Sequence, residues 1–232
     1  MNLSVIIPAA GQSSRMNSAV SKQLMKINGV EVLALTVQAF ESLDIVKEII
    51  IVCRESEKAE FIKLMKKYNI TKLKAFVNGG ETRQRSVLNS LEYISDDCDY
   101  IAVHDGARPL VSPELIENTA KYAELHGAAA PGIPVKDTIK IVDAQGFVSS
   151  TPNRPSLRAI QTPQIFLKKN YLKAAQTAIN SAAEYTDDCA MLEAAGYRVY
   201  ICEGSISNIK ITTAEDIVFA ERLKEAGTLK SQ

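Results

Sequence analysis

Small and basic residues follow the first apolar run of the chain. The run at positions 3–7 is closed by Pro8 and Gly11, a pattern that predicts a buried strand, and Arg15 and Lys22 come soon after it. Small side chains there leave backbone amides open to a polyphosphate, which the two cations could neutralise. An ordinary strand-to-helix turn with two solvated cations would leave the same pattern. The predicted nucleoside triphosphate cradle comprises Pro8, Ala9, Ala10, Gly11, Gln12, Ser13, Ser14, Arg15 and Lys22.

Two common phosphate-binding motifs are absent from this segment. A Walker loop needs GxxxxGK[ST], and Met16 stands five residues after Gly11, where the second glycine is required. A dinucleotide fingerprint needs GxGxxG, and Ser13 and Met16 occupy its second and third glycine positions. The spacing therefore excludes both of these classes of nucleotide site.

Two later apolar runs also end in residues suited to a nucleotide site. Gly79 and Gly80 follow the run that ends at Val77, and bare backbone there could lie against a base. Asp105 follows the run that ends at Val103, and a carboxylate at a strand end suits Mg²⁺, whose other ligands are water and phosphate oxygens. A Gly-Gly turn and an aspartate that caps a turn explain the same residues without any ligand.

Strand and helix signals alternate along the first half of the chain. This alternation predicts a Rossmann-like, mostly parallel twisted sheet with helices on both faces, an α/β fold. Ligands bind beyond the carboxyl ends of such strands, so the loops after Pro8, Val77 and Val103 should face one crevice. The predicted strands cover 3–7, 47–53, 72–80 and 100–109, the last with its loop, and the predicted helices cover 31–43, 55–68, about 82–93 and a stretch from Pro113 with Ser112 as its cap.

A segment in the second half departs from this alternation. Residues 136–157 combine β-branched runs with a central Ala-Gln-Gly turn, which predicts a β-hairpin arm that leaves the sheet. An arm without a core of its own needs a surface to pack on. A second copy of the chain is the simplest such surface, so the arm favours a homodimer.

Two helix starts are predicted near the end of the chain. Thr186 precedes two aspartates in an N-cap pattern. Thr212 and Glu215 form a capping box that would open the last helix, and Lys210 is expected just before a strand end.

Composition limits the class of protein. The 232 residues are 46% apolar and 23% charged, which fits one α/β domain spanning residues 1–232. Lys plus Arg equals Asp plus Glu at 27 each, so no global field attracts nucleic acid or an anionic membrane. No apolar run reaches the roughly 18 residues that a membrane span requires, and no secretory leader is visible. The expected protein is soluble and cytoplasmic.

The cysteines and histidines do not indicate a metal centre. The cysteines lack CxxC spacing, which favours buried free thiols, and neither histidine lies at zinc-ligand spacing from a cysteine. His104, in a predicted strand, is expected to be a packed side chain. The four cysteines are Cys53, Cys98, Cys189 and Cys202.

Six short motifs together resemble a known enzyme family. PAAGQSSRM, GGETRQRSV, VHDGARP, PVKDTIK, TPQIF and NIK are similar to motifs of the 2-C-methyl-D-erythritol 4-phosphate cytidylyltransferases, which are sugar nucleotidyltransferases. Ser13 replaces the second glycine of the family's first loop. The resemblance covers nearly the whole chain, and it implies a Rossmann-like fold and a homodimer formed through the arm.

The resemblance also implies a reaction. CTP and 2-C-methyl-D-erythritol 4-phosphate, a small polyol phosphate, would give 4-CDP-2-C-methyl-D-erythritol and pyrophosphate, a step of non-mevalonate isoprenoid synthesis. Mg²⁺ or another divalent cation would be held by Asp105. A ribitol 5-phosphate cytidylyltransferase shares several of these motifs and is an alternative. A CTP-binding regulator without catalytic activity is an alternative from another class.

Individual residues acquire roles from the same resemblance. Arg15 and Lys22 would stabilise the transition state, and Arg154 and Lys210 would orient the nucleophile. Contacts to the cytosine and ribose would come from Gly79, Gly80 and Ser86, and further contacts to the nucleotide from Arg83, Asp105 and Gly106. Contacts to the second substrate would come from Asp105, Arg108, Thr138, Arg154, Thr162, Thr186 and Lys210.

Overall fold

The structure is a computed structural model that describes residues 1–11, 21–181 and 183–230. Four residues of the predicted triphosphate cradle, Gln12, Ser13, Ser14 and Arg15, lie outside the described residues. Pro8 to Gly11 and Lys22, on either side of that gap, are described.

Strands and helices alternate through the described chain. Its strands are β1 (Leu3–Pro8), β2 (Lys26–Ile27), β3 (Val30–Glu31), β4 (Val46–Cys53), β5 (Leu73–Asn78), β6 (Tyr100–Val103), β7 (Ala128–Pro134), β8 (Ile141–Val142), β9 (Val148–Ser150), β10 (Arg158–Ile160), β11 (Gln164–Leu167) and β12 (Tyr200–Glu203). Its helices are α1 (Val32–Glu41), α2 (Glu55–Lys67), α3 (Arg83–Leu88), α4 (Pro113–His126), α5 (Lys168–Ser181), α6 (Asp188–Ala194) and α7 (Ala214–Lys230). Short 3₁₀ turns lie at Leu91–Tyr93 and Arg154–Ser156.

Eight of these strands form one sheet. Its order is β10-β7-β11-β6-β1-β4-β5, and β12 pairs with β7. The pairs β6–β1, β1–β4, β4–β5 and β12–β7 are parallel, whereas β11 runs antiparallel to both β6 and β7, and β10 antiparallel to β7. The predicted Rossmann-like, mostly parallel sheet is confirmed.

Strand β1 separates two cores. Successive side chains of a strand point to opposite faces. Val5 and Ile7 therefore pack in the core that α1, α2 and α4 cover, while Ile6 packs in the core that α5 and α6 cover. All three side chains are fully buried, which accounts for the continuous apolar run. Helices cover both faces, as predicted.

Most predicted helix boundaries agree with the structure. Ser112 Oγ accepts a hydrogen bond from the Leu115 amide at 3.2 Å, and Pro113 is the first helical residue, which confirms the predicted start of α4. The helix predicted over 82–93 is shorter than expected. Helix α3 ends at Leu88, and Ser90 Oγ donates to the Val87 carbonyl, which closes the last turn.

Both helix starts predicted near the end of the chain are wrong by one residue. Asp187, rather than Thr186, caps α6, because its Oδ1 accepts from the Ala190 amide at 2.8 Å. At the start of α7, Asp216 Oδ2 accepts from the Thr212 and Thr213 amides, so Asp216 takes the role predicted for Glu215. The strand end expected just after Lys210 is also wrong, because β12 ends at Glu203 and Lys210 lies in an irregular segment.

Residues 136–157 contain a small antiparallel ladder. Strands β8 and β9 pair through Ile141 with Ser150 and through Val142 with Val148. The apolar side chains there are exposed, and Phe147 is 72% exposed. That this segment joins two copies of the chain stays a prediction.

Two further expectations concern burial. All four cysteines are buried and free, as predicted. No described helix is both long and apolar enough to cross a membrane.

A buried carboxylate stabilises the amino-terminal end of the sheet, opposite the carboxyl ends of its parallel strands. Glu48 of β4 accepts hydrogen bonds from Ser4 Oγ at 2.8 Å and from the Ser95 amide at 2.9 Å, and its Oε2 lies 3.0 Å from Lys74 Nζ. Burial alone would raise the pKa of Glu48, but these donors lower the pKa from 4.5 to about 2. The ionised form therefore stabilises the fold.

We expect Glu48→Gln to lower the free energy of unfolding by roughly 2 to 3 kcal/mol at pH 7. The folded pKa of Glu48 is lower than the unfolded one, so this stability is present above pH 4.5 and is lost as the pH falls from 4.5 towards 2. Urea unfolding at several pH values would show the variant and the native protein converging in acid. Glu117→Gln, on the exposed face of α4, is the control. A difference that does not change with pH would contradict this account.

Candidate active site

One cavity of about 890 Å³ lies at the carboxyl ends of β1, β4, β5 and β6. The loops after Pro8, Val77 and Val103 all contribute to its wall, so the prediction that they face one crevice is confirmed. Residues that line the cavity are Pro8, Ala10, Gly11, Lys22, Gln23, Cys53, Arg54, Glu55, Asn78, Gly79, Gly80, Glu81, Thr82, Arg83, Ser86, Asp105, Gly106, Ala107 and Lys210.

The loop after β1 lies directly on the loop after β5. A Cβ atom placed on Gly79 would be 2.5 Å from Ala10 Cβ, well inside the contact distance of about 3.5 Å. Ser86 Oγ accepts a hydrogen bond from the Gly80 amide at 3.0 Å, which fixes the glycine pair against the start of α3. Ala9, which is fully buried, donates its amide to the Val52 carbonyl at 2.7 Å. Bare backbone therefore forms this wall of the cavity.

We expect Gly79→Ala to lower kcat/KM for the nucleotide about tenfold, because the two loops must separate by about 1 Å to admit the methyl group. Kinetics with the nucleotide varied would measure the loss. Ala10→Gly removes the atom that the new methyl group meets, so the double variant should recover most of the activity. An unchanged kcat/KM in Gly79→Ala, or no recovery in the double variant, would argue against this contact.

Asp105 lies at the centre of a cluster of cations. Its Oδ2 is 2.9 Å from Lys210 Nζ and 3.5 Å from Arg108 Nε, and its Oδ1 is 3.5 Å from Arg83 Nε. Burial alone would raise the pKa of Asp105, but Lys210, Arg83 and Arg108 together hold the pKa well below its usual range. The carboxylate is therefore ionised throughout the physiological pH range, and Lys210 reaches the cavity beside it.

Two buried side chains support Asp105 from behind. The Asp105 amide donates to Thr162 Oγ1 at 3.1 Å, and Thr162 Oγ1 lies 3.0 Å from His104 Nδ1. His104 Nε2 lies 3.3 Å from the Arg108 carbonyl, which can only accept, so Nε2 carries the proton and Nδ1 accepts from Thr162. Burial lowers the pKa of His104 to about 3 and keeps the ring neutral. The prediction that His104 is packed is confirmed.

Within a single copy of the chain, only some of the residues predicted to bind the second substrate meet at the cavity. Lys210 and Asp105 meet at the cavity. Arg108 lies behind Asp105 and donates through Nη1 to the Asn208 carbonyl at 2.7 Å, and Thr162 is only 4% exposed. Thr138, Arg154 and Thr186 are exposed and do not line the cavity, and Arg154 Nη1 donates to the Lys136 carbonyl at 3.0 Å.

One buried carboxylate next to the cavity was missed in the sequence. Asp188 Oδ2 lies 2.7 Å from Arg83 Nη1, and Asp188 Oδ1 accepts from the Tyr171 hydroxyl at 2.6 Å. The signal for it was the pair of aspartates after Thr186, since one aspartate is enough to cap α6. The second aspartate was therefore available for another role.

The donor set suits a metal ion that arrives with a nucleotide. Among the residues that the structure describes, no group of three or more His, Cys, Asp or Glu side chains could hold a metal ion by itself. Mg²⁺ is commonly held by one or two carboxylates together with substrate phosphates. Asp105 lines the cavity, and its Oδ1 lies 3.5 Å from Arg83 Nε, beyond the usual hydrogen-bond length. The residues present fit such a shared site.

Comparison with known proteins gives the family of the chain. The family model described as 2-C-methyl-D-erythritol 4-phosphate cytidylyltransferase matches residues 3–225. The chain belongs to this family. Among curated 2-C-methyl-D-erythritol 4-phosphate cytidylyltransferases, that of Caldanaerobacter subterraneus subsp. tengcongensis is 44% identical, over 95% of this chain and 98% of the relative. That of Clostridium botulinum strain 657 is 43% identical, over 96% and 97%.

A solved structure shares the fold over the same length. The crystal structure of 4-diphosphocytidyl-2C-methyl-D-erythritol synthase from Anaerococcus prevotii has a TM-score of 0.86 and 32% identity to this chain. The match covers 97% of this chain and 96% of that one. The resemblance to this family that the six motifs indicated is thus confirmed over nearly the whole chain.

Proposed function

We propose that this chain transfers the cytidylyl group of CTP to 2-C-methyl-D-erythritol 4-phosphate, the reaction of its family, and releases pyrophosphate. The observation that carries the proposal is the single cavity in which Gly11, the Gly79-Gly80 pair, Asp105, Lys22 and Lys210 meet. Its volume of about 890 Å³ is in the upper part of the range typical of small-molecule sites.

The chemistry requires charge and alignment more than a general base. An oxygen of the acceptor phosphate, already anionic near pH 7, attacks the α-phosphorus of CTP. The bond from that phosphorus to the bridging oxygen of pyrophosphate breaks, and pyrophosphate leaves with the electron pair. In phosphoryl transfer of this kind, catalysis consists largely of positioning and electrostatic stabilisation.

The cations of the site supply that stabilisation. We assign Lys22, and Arg15 beyond the described residues, to the transition state at the α-phosphate. Lys210 is held 2.9 Å from Asp105 Oδ2, where an incoming anionic phosphate could share its charge. We therefore assign Lys210 to the acceptor phosphate. Neutral His104 has no place in this scheme, since it is fully buried behind Asp105.

We further propose that Asp105 holds Mg²⁺ or another divalent cation together with phosphate oxygens of CTP. Such an ion, when bound, neutralises charge on the triphosphate. The chain contributes one ionised carboxylate, whose position is fixed by Thr162 and by the cations around it. The bare backbone at Gly79 and Gly80 is assigned to the cytosine and ribose, with Ser86 holding that loop in shape.

Pyrophosphate release from a panel of nucleotides crossed with polyol phosphates tests the function. CTP with methylerythritol phosphate and Mg²⁺ is expected to give the highest rate. A preference for ribitol 5-phosphate would transfer the assignment to a ribitol 5-phosphate cytidylyltransferase. CTP binding by calorimetry with no product from any acceptor would instead identify a non-catalytic regulator.

We also propose that the protein works as a homodimer in the cytoplasm. The exposed apolar side chains of residues 136–157, Phe147 among them, support a second copy as the covering surface. The four buried free thiols fit a reducing compartment.

Subunit mixing tests whether Arg154 acts on the partner's site. Lys22→Ala and Arg154→Ala chains, each inactive as a homodimer, are combined as mixed dimers isolated through two different tags. A shared site leaves one of the two sites intact, so a mixed dimer should show about half of the native activity. Mixed dimers without recovered activity would show that each chain is self-sufficient.

A further inference from the structure

A buried chain of hydrogen bonds and ion pairs extends from the cavity into the core. Its outer members, Asp105 and Arg83, line the cavity, and its inner members are Asp188 and Tyr171. Asp188 is 4% exposed and Tyr171 is fully buried, and neither lines the cavity. The reaction assigned above uses Asp105 and gives no role to the inner pair.

Arg83 interacts with two carboxylates, and one of the two interactions is much closer than the other. Its Nη1 lies 2.7 Å from Asp188 Oδ2, a charge-assisted hydrogen bond, whereas its Nε lies 3.5 Å from Asp105 Oδ1. Burial alone would lower the pKa of Arg83, but Asp188 and then Asp105 outweigh burial and raise it. The guanidinium is therefore always charged, and the stronger partner lies on the side away from the cavity.

Asp188 is itself fixed from several directions. Tyr171 donates to its Oδ1 at 2.6 Å, and Gln164 Oε1 accepts from its backbone amide at 3.1 Å. Gln84, next to Arg83, donates to the Ala183 carbonyl at 2.9 Å and accepts from the Tyr185 amide at 2.8 Å. In the first turn of α3, Arg83 thus binds the first residue of α6, and Gln84 binds the segment before α6.

We propose that Asp188 is a positioning residue, which holds Arg83 back from Asp105 and presents its guanidinium to the nucleotide. Without the charge on Asp188, Arg83 has only Asp105 as an anionic partner in the cluster, and it moves onto that carboxylate. Asp105 and Arg83 then neutralise one another, and both are lost to the triphosphate. This inference rests on the proposed function, because it assumes that Asp105 and Arg83 face CTP.

The two oxygens of Asp188 offer a matched pair of variants. Asp188→Asn removes the charge that holds Arg83, and we expect kcat/KM to fall about a hundredfold, the cost of misplacing a group by about 1 Å. Tyr171→Phe removes the hydrogen bond to the other oxygen and leaves the Arg83 pair in place. Both variants should lower the midpoint of thermal unfolding, but Tyr171→Phe should keep kcat/KM within about threefold of native.

A cycle with Arg83→Gln separates positioning from simple stabilisation. If Asp188 acts through Arg83, Asp188→Asn should change kcat/KM by less than about threefold in the Arg83→Gln background. The double variant leaves no unpaired buried charge, so it should fold even if Asp188→Asn alone does not. Its kcat/KM can then still be compared with that of Arg83→Gln. Equal losses of kcat/KM in Asp188→Asn and Tyr171→Phe, or additive losses in the cycle, would overturn the proposal.

Calorimetry of CTP binding keeps this test independent of turnover. Asp188→Asn should weaken CTP binding about tenfold, whereas Tyr171→Phe should not change it. If the native chain binds CTP but forms no product, the proposed function fails while this comparison still decides the role of Asp188. CTP affinity that is unchanged in Asp188→Asn would count against positioning of Arg83.

Discussion

Asp105→Asn is expected to lower turnover about a thousandfold, the several kcal/mol that a metal-linked charge supplies to a transition state. The substitution keeps the shape of the side chain but removes the single negative charge among Arg83, Arg108 and Lys210 at the cavity wall. Lys210 loses the partner that fixes it at 2.9 Å, and the divalent cation that we propose at Asp105 loses its protein ligand.

Steady-state assays with CTP would measure the loss of turnover in Asp105→Asn, and calorimetry would measure its binding of CTP. Asp96→Asn is the matched control, since Asp96 is exposed and precedes β6 at the opposite end of that strand. Thermal unfolding should show a lower midpoint for Asp105→Asn, because Arg108 and Lys210 then lack their counter-charge, while Arg83 keeps Asp188. Near-native turnover of Asp105→Asn over a range of Mg²⁺ concentrations would show that Asp105 has no part in the reaction.

Lys22→Ala is expected to lower turnover at least about a hundredfold with little change in the fold. Lys22 lines the cavity, and its backbone is held in a turn, where the Met25 amide donates to the Lys22 carbonyl at 3.3 Å. The Gln23 carbonyl accepts from the Leu33 amide at 3.0 Å, which fixes this turn to the start of α1. Truncation of the side chain therefore removes a charge and leaves these backbone hydrogen bonds in place.

Comparison of kcat with KM would show where Lys22 acts. A group that stabilises the transition state lowers kcat, whereas a group that only binds CTP raises KM. Lys66→Ala, on the exposed face of α2, is the control and should keep native kinetics. Turnover of Lys22→Ala close to that of the control would remove this lysine from the mechanism.

The sequence predicted those parts of the fold that local patterns determine. Val5, Ile6 and Ile7 are all buried between two helical layers, so an uninterrupted apolar run was a sufficient signal for β1. The signals from Ser112 and Pro113 depend only on the first turn of the helix, and α4 begins where they indicated. The rule that ligands bind at strand carboxyl ends then brought Gly79 and Asp105 to one cavity.

Features that depend on distant partners were beyond such patterns. The Gly79-Gly80 dipeptide predicts a turn, but only the fold shows that Ala10 occupies the space that a Cβ atom on residue 79 would need. Asp188 and Arg83 are 105 residues apart, so no local spacing reveals their pairing. At the start of α7, neighbouring Glu215 and Asp216 could each serve as the capping carboxylate, and the orientation of the chain decides between them.

The ladder of β8 and β9 also bears on how the protein behaves in concentrated solution. Ile141, Val142 and Val148 are each more than half exposed on a two-stranded ribbon that pairs with no other strand among the described residues. Open edges with apolar side chains readily template the addition of further strands, and charged side chains block that growth. Phe147→Lys at this ribbon should therefore reduce aggregation on storage, and it should also weaken the proposed homodimer, so aggregation and oligomeric state are measured on the same sample.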